Sequence, residues 1–175
     1  MRYTIFVSLI YVVFYIEKTQ TYEVTIESMM PDPSSDPDAV DFGTLRITRA
    51  GRNTFTISGT FSILRVMGNE ARIRLEVLSK DITGPGYNQR IFRNERVFCE
   101  YLDTEDMFIP PLRKVSNFPN RGTCPFPKLD VTIKDFQLDE KMLPRMIPKG
   151  SYMLRTQILE ENRLIMGISA TISVH

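Results

Sequence analysis

Few side chains in this sequence are suited to covalent or acid–base chemistry. The cysteines are Cys99 and Cys124, and the single histidine, His175, is the last residue. Nucleophilic catalysis needs a nucleophile beside a base that a third group orients. The chain offers no such set, and it also lacks the Gly-x-Ser-x-Gly motif of many hydrolases. We therefore assign no catalytic residue.

Acidic side chains leave one other route to catalysis, because glycosidase-type hydrolysis needs only two carboxylates. The candidates by residue type are Asp103, Glu105, Asp106, Asp139, Glu140, Glu160 and Glu161. All of them occur in stretches predicted to be exposed turns, where a solvated charge is the ordinary state. The acidic, proline-rich loop 31–38 lacks the ligand spacing of a calcium loop. The sequence thus predicts a protein that is not an enzyme and has no metal site and no cofactor.

The N-terminus predicts secretion. Met1-Arg2 supplies a positive charge, and the apolar run Tyr3–Ile16 is shorter than the roughly 20 residues of a membrane helix. A basic start, a short apolar core and a polar exit are typical of a cleaved signal peptide; an uncleaved anchor is the alternative. We expect residues 1–21 to be a signal peptide and residues 22–175 to form a single extracellular domain that does not span a membrane.

The charge balance and the two cysteines indicate which binding partners are disfavoured and which disulfide can form. The full sequence has 22 basic and 21 acidic side chains. Removal of the signal peptide would take away Arg2, Lys18 and Glu17, which leaves 20 basic and 20 acidic side chains. This balance gives no electrostatic footprint for nucleic acid. Two cysteines in a secreted chain are expected to pair, so we predict a structural Cys99–Cys124 disulfide.

Alternating apolar and polar residues predict strands over most of the chain. The clearest case is 53–66, where Phe55, Ile57, Phe61 and Ile63 share one face; with 43–50 it forms a predicted hairpin. Leu64 and Val66 change face, which suggests a bulge or a bend. Further strands are predicted near 22–27, 73–77, 90–98 and 131–134, and a terminal hairpin joins 151–158 to 164–174.

The stretch 99–115 has helical spacing instead and is interrupted by Pro110 and Pro111. The fold class is therefore predicted to be all-β: an antiparallel two-sheet β-sandwich, immunoglobulin-like, with one short helical insertion around 99–115. The disulfide would clamp this insertion onto the sandwich, where it could form the rim of a pocket.

The inward faces of the strands offer candidate ligand contacts. The residues expected to line a pocket between the sheets are Phe61, Ile63, Phe126, Phe136, Tyr152, Leu154, Met166 and Ile168, and Met153 is also expected to face inward. A filled core would use the same residues, whereas splayed sheets would leave a cavity that methionines can adapt to varied guests. Periodicity leaves both alternatives open.

A set of short segments around the cysteines and upstream of them forms a recognisable pattern. These segments are Val40–Phe42, Asn53–Phe61, Phe98–Glu105, Ser116–Pro119, Thr123–Lys128, Thr132–Phe136, Leu143-Pro144 and Pro148–Tyr152. With them the chain resembles the insect chemosensory B-type proteins and a related secreted insect family of unknown function. The resemblance covers most of the chain after residue 21, and it departs from the family pattern after Lys128, where Leu129-Asp130 replace the usual glycine.

The resemblance implies a sandwich of the lipid-recognition type, similar to ganglioside activator proteins, and for some members a role in taste or pheromone response. From the residues and the resemblance together we predict a secreted, non-enzymatic protein that binds a small hydrophobic ligand, such as a lipid or a cuticular-hydrocarbon-like pheromone, in chemosensation. The alternative is an extracellular module that modulates a sensory receptor or an ion channel without a bound ligand.

Overall fold

Two antiparallel sheets packed face to face make up most of the protein. The computed structural model describes residues 23–51, 55–81, 84–137 and 147–175, so the predicted signal peptide lies outside the described residues. The strands are β1 (Val24–Pro31), β2 (Val40–Asp41), β3 (Arg46–Arg49), β4 (Phe55–Ile63), β5 (Ala71–Ser79), β6 (Gln89–Val97), β7 (Leu129–Gln137), β8 (Gly150–Glu160) and β9 (Arg163–Val174).

The first sheet has five strands in the order β1-β9-β8-β5-β6, so β1 and β6 are its edges. The predicted terminal hairpin is present, since β8 pairs with β9 from Gly150↔Val174 to Glu160↔Arg163. On the inner face, Ile73 of β5 lies beside Ile158 of β8. The polar residues that alternate with these apolar positions form the outer face, as side-chain alternation along a strand requires.

The second sheet is built around β4. Strands β2 and β3 pair with β4 along one side, and β7 pairs with it along the other. Gly59 allows the chain to pass closely here, because its φ is +128° and a Cβ would lie 2.3 Å from the carbonyl oxygen of Thr44. Strand β4 ends at Ile63, and Leu64 and Val66 are exposed. Their change of face therefore marks the end of the strand and not a bulge within it.

The space between the sheets holds two apolar clusters. The larger one contains Phe61 and Val131 from the second sheet, Ile73 and Ile158 from the first, and side chains of the helical insertion. The smaller one lies around Ile26, Ile147, Tyr152, Ile172 and Val174. Contacts from both sheets in one cluster establish the sandwich and confirm the predicted all-β class.

The helical insertion follows β6 without a break. It consists of α1 (Phe98–Thr104) and α2 (Ile109–Lys114). The predicted disulfide joins Cys99 in α1 to Cys124, with a Cα–Cα distance of 5.9 Å. Arg113 of α2 ties the segment together further, because its guanidinium donates hydrogen bonds to the carbonyl oxygens of Leu102 (3.1 Å) and Pro119 (2.7 Å). The disulfide and these hydrogen bonds thus hold the two helices and the loop that follows them together.

Candidate functional site

An open cleft of about 730 Å³ lies between edge strand β6 and the helical insertion. One wall comes from the inner face of β5 and of edge strand β6. The other wall is the turn between α1 and α2. The residues that line the cleft are Leu75, Phe92, Asn94, Arg96, Tyr101, Thr104, Glu105, Asp106, Met107, Phe108 and Pro111.

A bulge in β6 sets which side chains reach the cleft. Phe92 pairs with Val77, whereas Arg90 pairs with Leu78, so Ile91 is an extra residue in the ladder. An extra residue shifts the alternation of the side chains that follow. Phe92 therefore lies on the inner face, and Arg90 lies on the outer face although it is two residues away.

The insertion wall is held by a carboxylate. Glu105 accepts hydrogen bonds from the backbone N–H groups of Met107 (2.9 Å), Phe108 (2.8 Å) and Ile109 (2.8 Å). These bonds fix the turn that leads into α2. The next residue, Asp106, forms an ion pair with Arg121. Both carboxylates that border the cleft are therefore already engaged with groups of the protein.

The mouth of the cleft is apolar and exposed to solvent. Phe92 and Met107 retain 49% and 46% of their accessible surface, and Ile91 beside them retains 48%. Large apolar side chains grouped in this way are unusual on a monomer and mark sites of ligand or partner binding. The depth of the cleft adds a concave surface to these side chains, which is the form that small-molecule sites take.

Tyr101 places a phenol at the inner end of the cleft. Tyr101 as a whole is 6% exposed and belongs to the larger apolar cluster. Burial raises the pKa of the Tyr101 hydroxyl, the negative charge of Glu105 raises it further, and Arg96 opposes this change. The hydroxyl is therefore neutral at physiological pH and keeps its proton as a hydrogen-bond donor.

The residues predicted to line an inter-sheet pocket lie elsewhere. Phe61, Ile63 and Phe126 are buried in the larger cluster, with Phe136 and Met166 packed against it. Tyr152 belongs to the smaller cluster with Leu154 against it, and Ile168 is half-buried in β9. None of them is among the residues lining the cleft.

Met153 differs from its predicted place. It lies between Tyr152 and Leu154 in β8 and pairs with Leu78 and Thr171. Tyr152 and Leu154 lie on the inner face of the sheet. Because successive side chains of a strand point to opposite faces, Met153 lies on the outer face.

Sequence reasoning missed Phe92 and Met107. A signal for Phe92 exists: Ile91 and Phe92 are adjacent apolar residues in a strand whose other members are mostly charged, Gln89–Val97. An edge strand normally carries polar residues at exposed positions. The helical insertion, which the sequence suggested as the rim of a pocket between the sheets, instead forms a wall of the cleft at β6.

Other chemistry finds little support in residues 23–51, 55–81, 84–137 and 147–175. They contain no group of three or more His, Cys, Asp or Glu side chains that could hold a metal ion. The same residues include no helix that is long and apolar enough to cross a membrane. A second depression of about 600 Å³ beside α2 is bordered by Lys114, Val115, Ser116, Asn117, Thr132 and Lys134. Val115 is the one large apolar side chain among these lining residues, whereas several line the cleft at β6.

Comparison with known proteins gives a partial match to a family. Residues 73–154, which run from within β5 through β6, the insertion and β7 to the start of β8, match DUF1091, a family described as a protein of unknown function. No curated protein matches the sequence. The structure of chicken MD-1 complexed with lipid IVa is similar over 87% of this chain and 98% of that chain, with 12% sequence identity and a TM-score of 0.35. A likeness at this level says nothing about the ligands of the present chain.

Proposed function

We propose that this protein is a secreted, non-enzymatic binding protein for a small hydrophobic molecule, which occupies the cleft between β6 and the helical insertion. The observation that carries the proposal is the cleft itself, about 730 Å³ in volume with exposed Phe92 and Met107 in its walls. Ligand sites of 300–1,000 Å³ with apolar walls and a few polar groups accommodate drug-sized molecules.

The state of the carboxylates supports binding over catalysis. A carboxylate that catalyses hydrolysis has to lie in the cleft that holds the substrate. Of the acidic candidates, Glu105 and Asp106 border the cleft. Glu105 accepts three backbone hydrogen bonds, and Asp106 is paired with Arg121. A general acid or base must be within reach of the substrate proton and free to exchange it, and these two groups are engaged with the wall of the cleft instead.

Secretion and a role in chemosensation belong to the same proposal. The apolar N-terminal run and the disulfide between Cys99 and Cys124 favour an oxidising, extracellular setting. The resemblance to chemosensory B-type proteins favours a lipid or pheromone-like ligand. Localisation of the transcript to sensory hairs would support this role, and expression confined to non-sensory tissue would contradict it.

Ligand binding can be tested with Nile red, a neutral fluorescent apolar probe. The full chain is expressed in a secretory host, and the secreted protein is titrated with the dye. A variant carrying Phe92→Ser and Met107→Ser loses two apolar contacts, which we expect to weaken binding about 30-fold for a loss of about 2 kcal/mol. Absence of dye binding by the wild-type protein, together with absence of lipid in an organic extract, would exclude the carrier function.

The matched control carries Met30→Ser and Val66→Ser. These side chains are also apolar and exposed, at 59% and 54%, and they do not line the cleft. We expect the control to bind Nile red like the wild type. Equal losses in both variants would show that the dye binds exposed apolar surface in general.

The alternative function, an interaction module without a ligand, has one observation in its favour. Ile91 is exposed beside the cleft on an edge strand and does not line it. A partner protein could cover Ile91 and Phe92 together. Native mass spectrometry of the secreted protein distinguishes the two functions, because only a carrier leaves the cell with a small molecule bound.

A further inference from the structure

Arg96 differs from the other described arginines of the five-stranded sheet. On the outer face, Glu95 binds Arg72, Arg74 and Arg93. Ion pairs likewise hold the remaining arginines of this sheet, Arg90, Arg155 and Arg163. Within the described residues, the exposed side chain of Arg96 has no hydrogen-bond partner and no ion-pair partner.

The position of Arg96 explains why it lacks a partner. It pairs in the ladder with Ile73, an inward residue of β5, and so lies on the inner face with Phe92 and Asn94. Glu95 and Glu76, the carboxylates that pair with the other arginines of β5, β6 and β8, lie on the outer face. The guanidinium instead borders the cleft, close enough to Tyr101 to influence its hydroxyl.

The anionic groups near Arg96 are committed elsewhere. Glu105 serves three backbone N–H groups, and Asp106 is paired with Arg121. A guanidinium is permanently charged and offers two parallel N–H donors that match a carboxylate. The cleft therefore combines an apolar wall, a free cation at one side and a neutral phenol that can donate a hydrogen bond.

Building on the function proposed above, we infer that the ligand is an amphipathic monoanion, a long-chain carboxylic acid, whose carboxylate binds Arg96 and whose chain lies along Phe92, Met107 and Phe108. The hydroxyl of Tyr101 donates a further hydrogen bond to the carboxylate. The charges of Glu105 and Asp106 disfavour a second negative charge in the cleft, so a carboxylate fits better than a phosphate monoester, which carries close to two charges at neutral pH.

The test compares palmitate with hexadecanol, which has the same chain length and an uncharged head. Displacement of Nile red from the full secreted chain gives the affinity for each. We expect the wild type to bind palmitate about tenfold more tightly than hexadecanol, as a charge-assisted hydrogen bond allows. Arg96→Gln should abolish this preference and leave the affinity for hexadecanol within about twofold of the wild type.

The matched control is Arg93→Gln, on the same strand but on the outer face, which should keep the preference. If the wild type binds both ligands equally and Arg96→Gln changes neither affinity, the inference is wrong while the hydrophobic carrier stands. If neither ligand displaces Nile red, the inference is wrong, and the carrier function is decided separately by the binding of Nile red itself and by the organic extract. Tighter binding of hexadecyl phosphate than of palmitate, lost in Arg96→Gln, would replace the carboxylic acid with a phosphate ester.

Discussion

Removal of the Cys99–Cys124 disulfide should destabilise the protein by an amount that depends on the length of the loop that the disulfide closes. The bridge joins residues 25 positions apart. The chain-entropy relation for a loop of this size gives about 3.5 kcal/mol at 25 °C, because the uncross-linked unfolded chain gains conformational freedom. We propose the variant Cys99→Ala with Cys124→Ala, since a serine at position 99 would bury a hydroxyl where the cysteine is 6% exposed.

Urea unfolding followed by circular dichroism measures this loss. With a slope of about 1–3 kcal/mol per molar urea, a change of about 3.5 kcal/mol lowers the unfolding midpoint by roughly 1–3.5 M. Wild-type protein unfolded in the presence of a reductant should reproduce the midpoint of the variant. A midpoint within about 0.5 M of the oxidised wild type would refute the reasoning, because the bridge would then add nothing beyond the packing of α1.

Two further predictions concern the outer face and the core. Hydrogen bonds from Arg74, Arg72 and Arg93 lower the pKa of Glu95 from 4.5 to about 2. A carboxylate whose pKa is lowered by folding stabilises the folded state above about pH 4.5, and this stabilisation is lost as the pH falls towards 2. Glu95→Gln should therefore lower the free energy of unfolding by about 1 kcal/mol at pH 7 and leave it unchanged near pH 2, as measured by urea titrations. An equal cost at both pH values would contradict the assignment. Phe126 is 1% exposed, and Phe126→Ala should lower the free energy of unfolding by about 3–5 kcal/mol, with a loss below about 1 kcal/mol counting against its core role.

Alternation and residue counts were sufficient to predict the architecture. Strand β4 reads directly from the alternation of Phe55–Ile63, because one face packs against the other sheet and the other face meets solvent. Helical spacing predicted the insertion, and two cysteines allowed only one bridge. These features depend on local patterns, and the structure confirms them.

The cleft could not be predicted from the same patterns. Periodicity assigns a side chain to the inner or the outer face, but it does not show whether anything covers the inner face at that point. Strand β6 is an edge of the five-stranded sheet, and the bulge at Ile91 changes which of its residues face inward. The residues predicted to bind a ligand, such as Phe61 and Tyr152, remain a prediction; the structure places them in the two apolar clusters.

Almost the whole lining of the cleft comes from one continuous piece of chain. Every lining residue except Leu75 falls within Phe92–Pro111. In that piece, Phe98, Tyr101, Leu102 and Ile109 are part of the core, whereas Phe92 and Met107 are largely exposed. Under the proposed function, ligand preference rests mainly on this one segment, so the segment grafted between related sandwiches, with its core residues kept, is expected to carry its selectivity to the new host without redesign of the sheets.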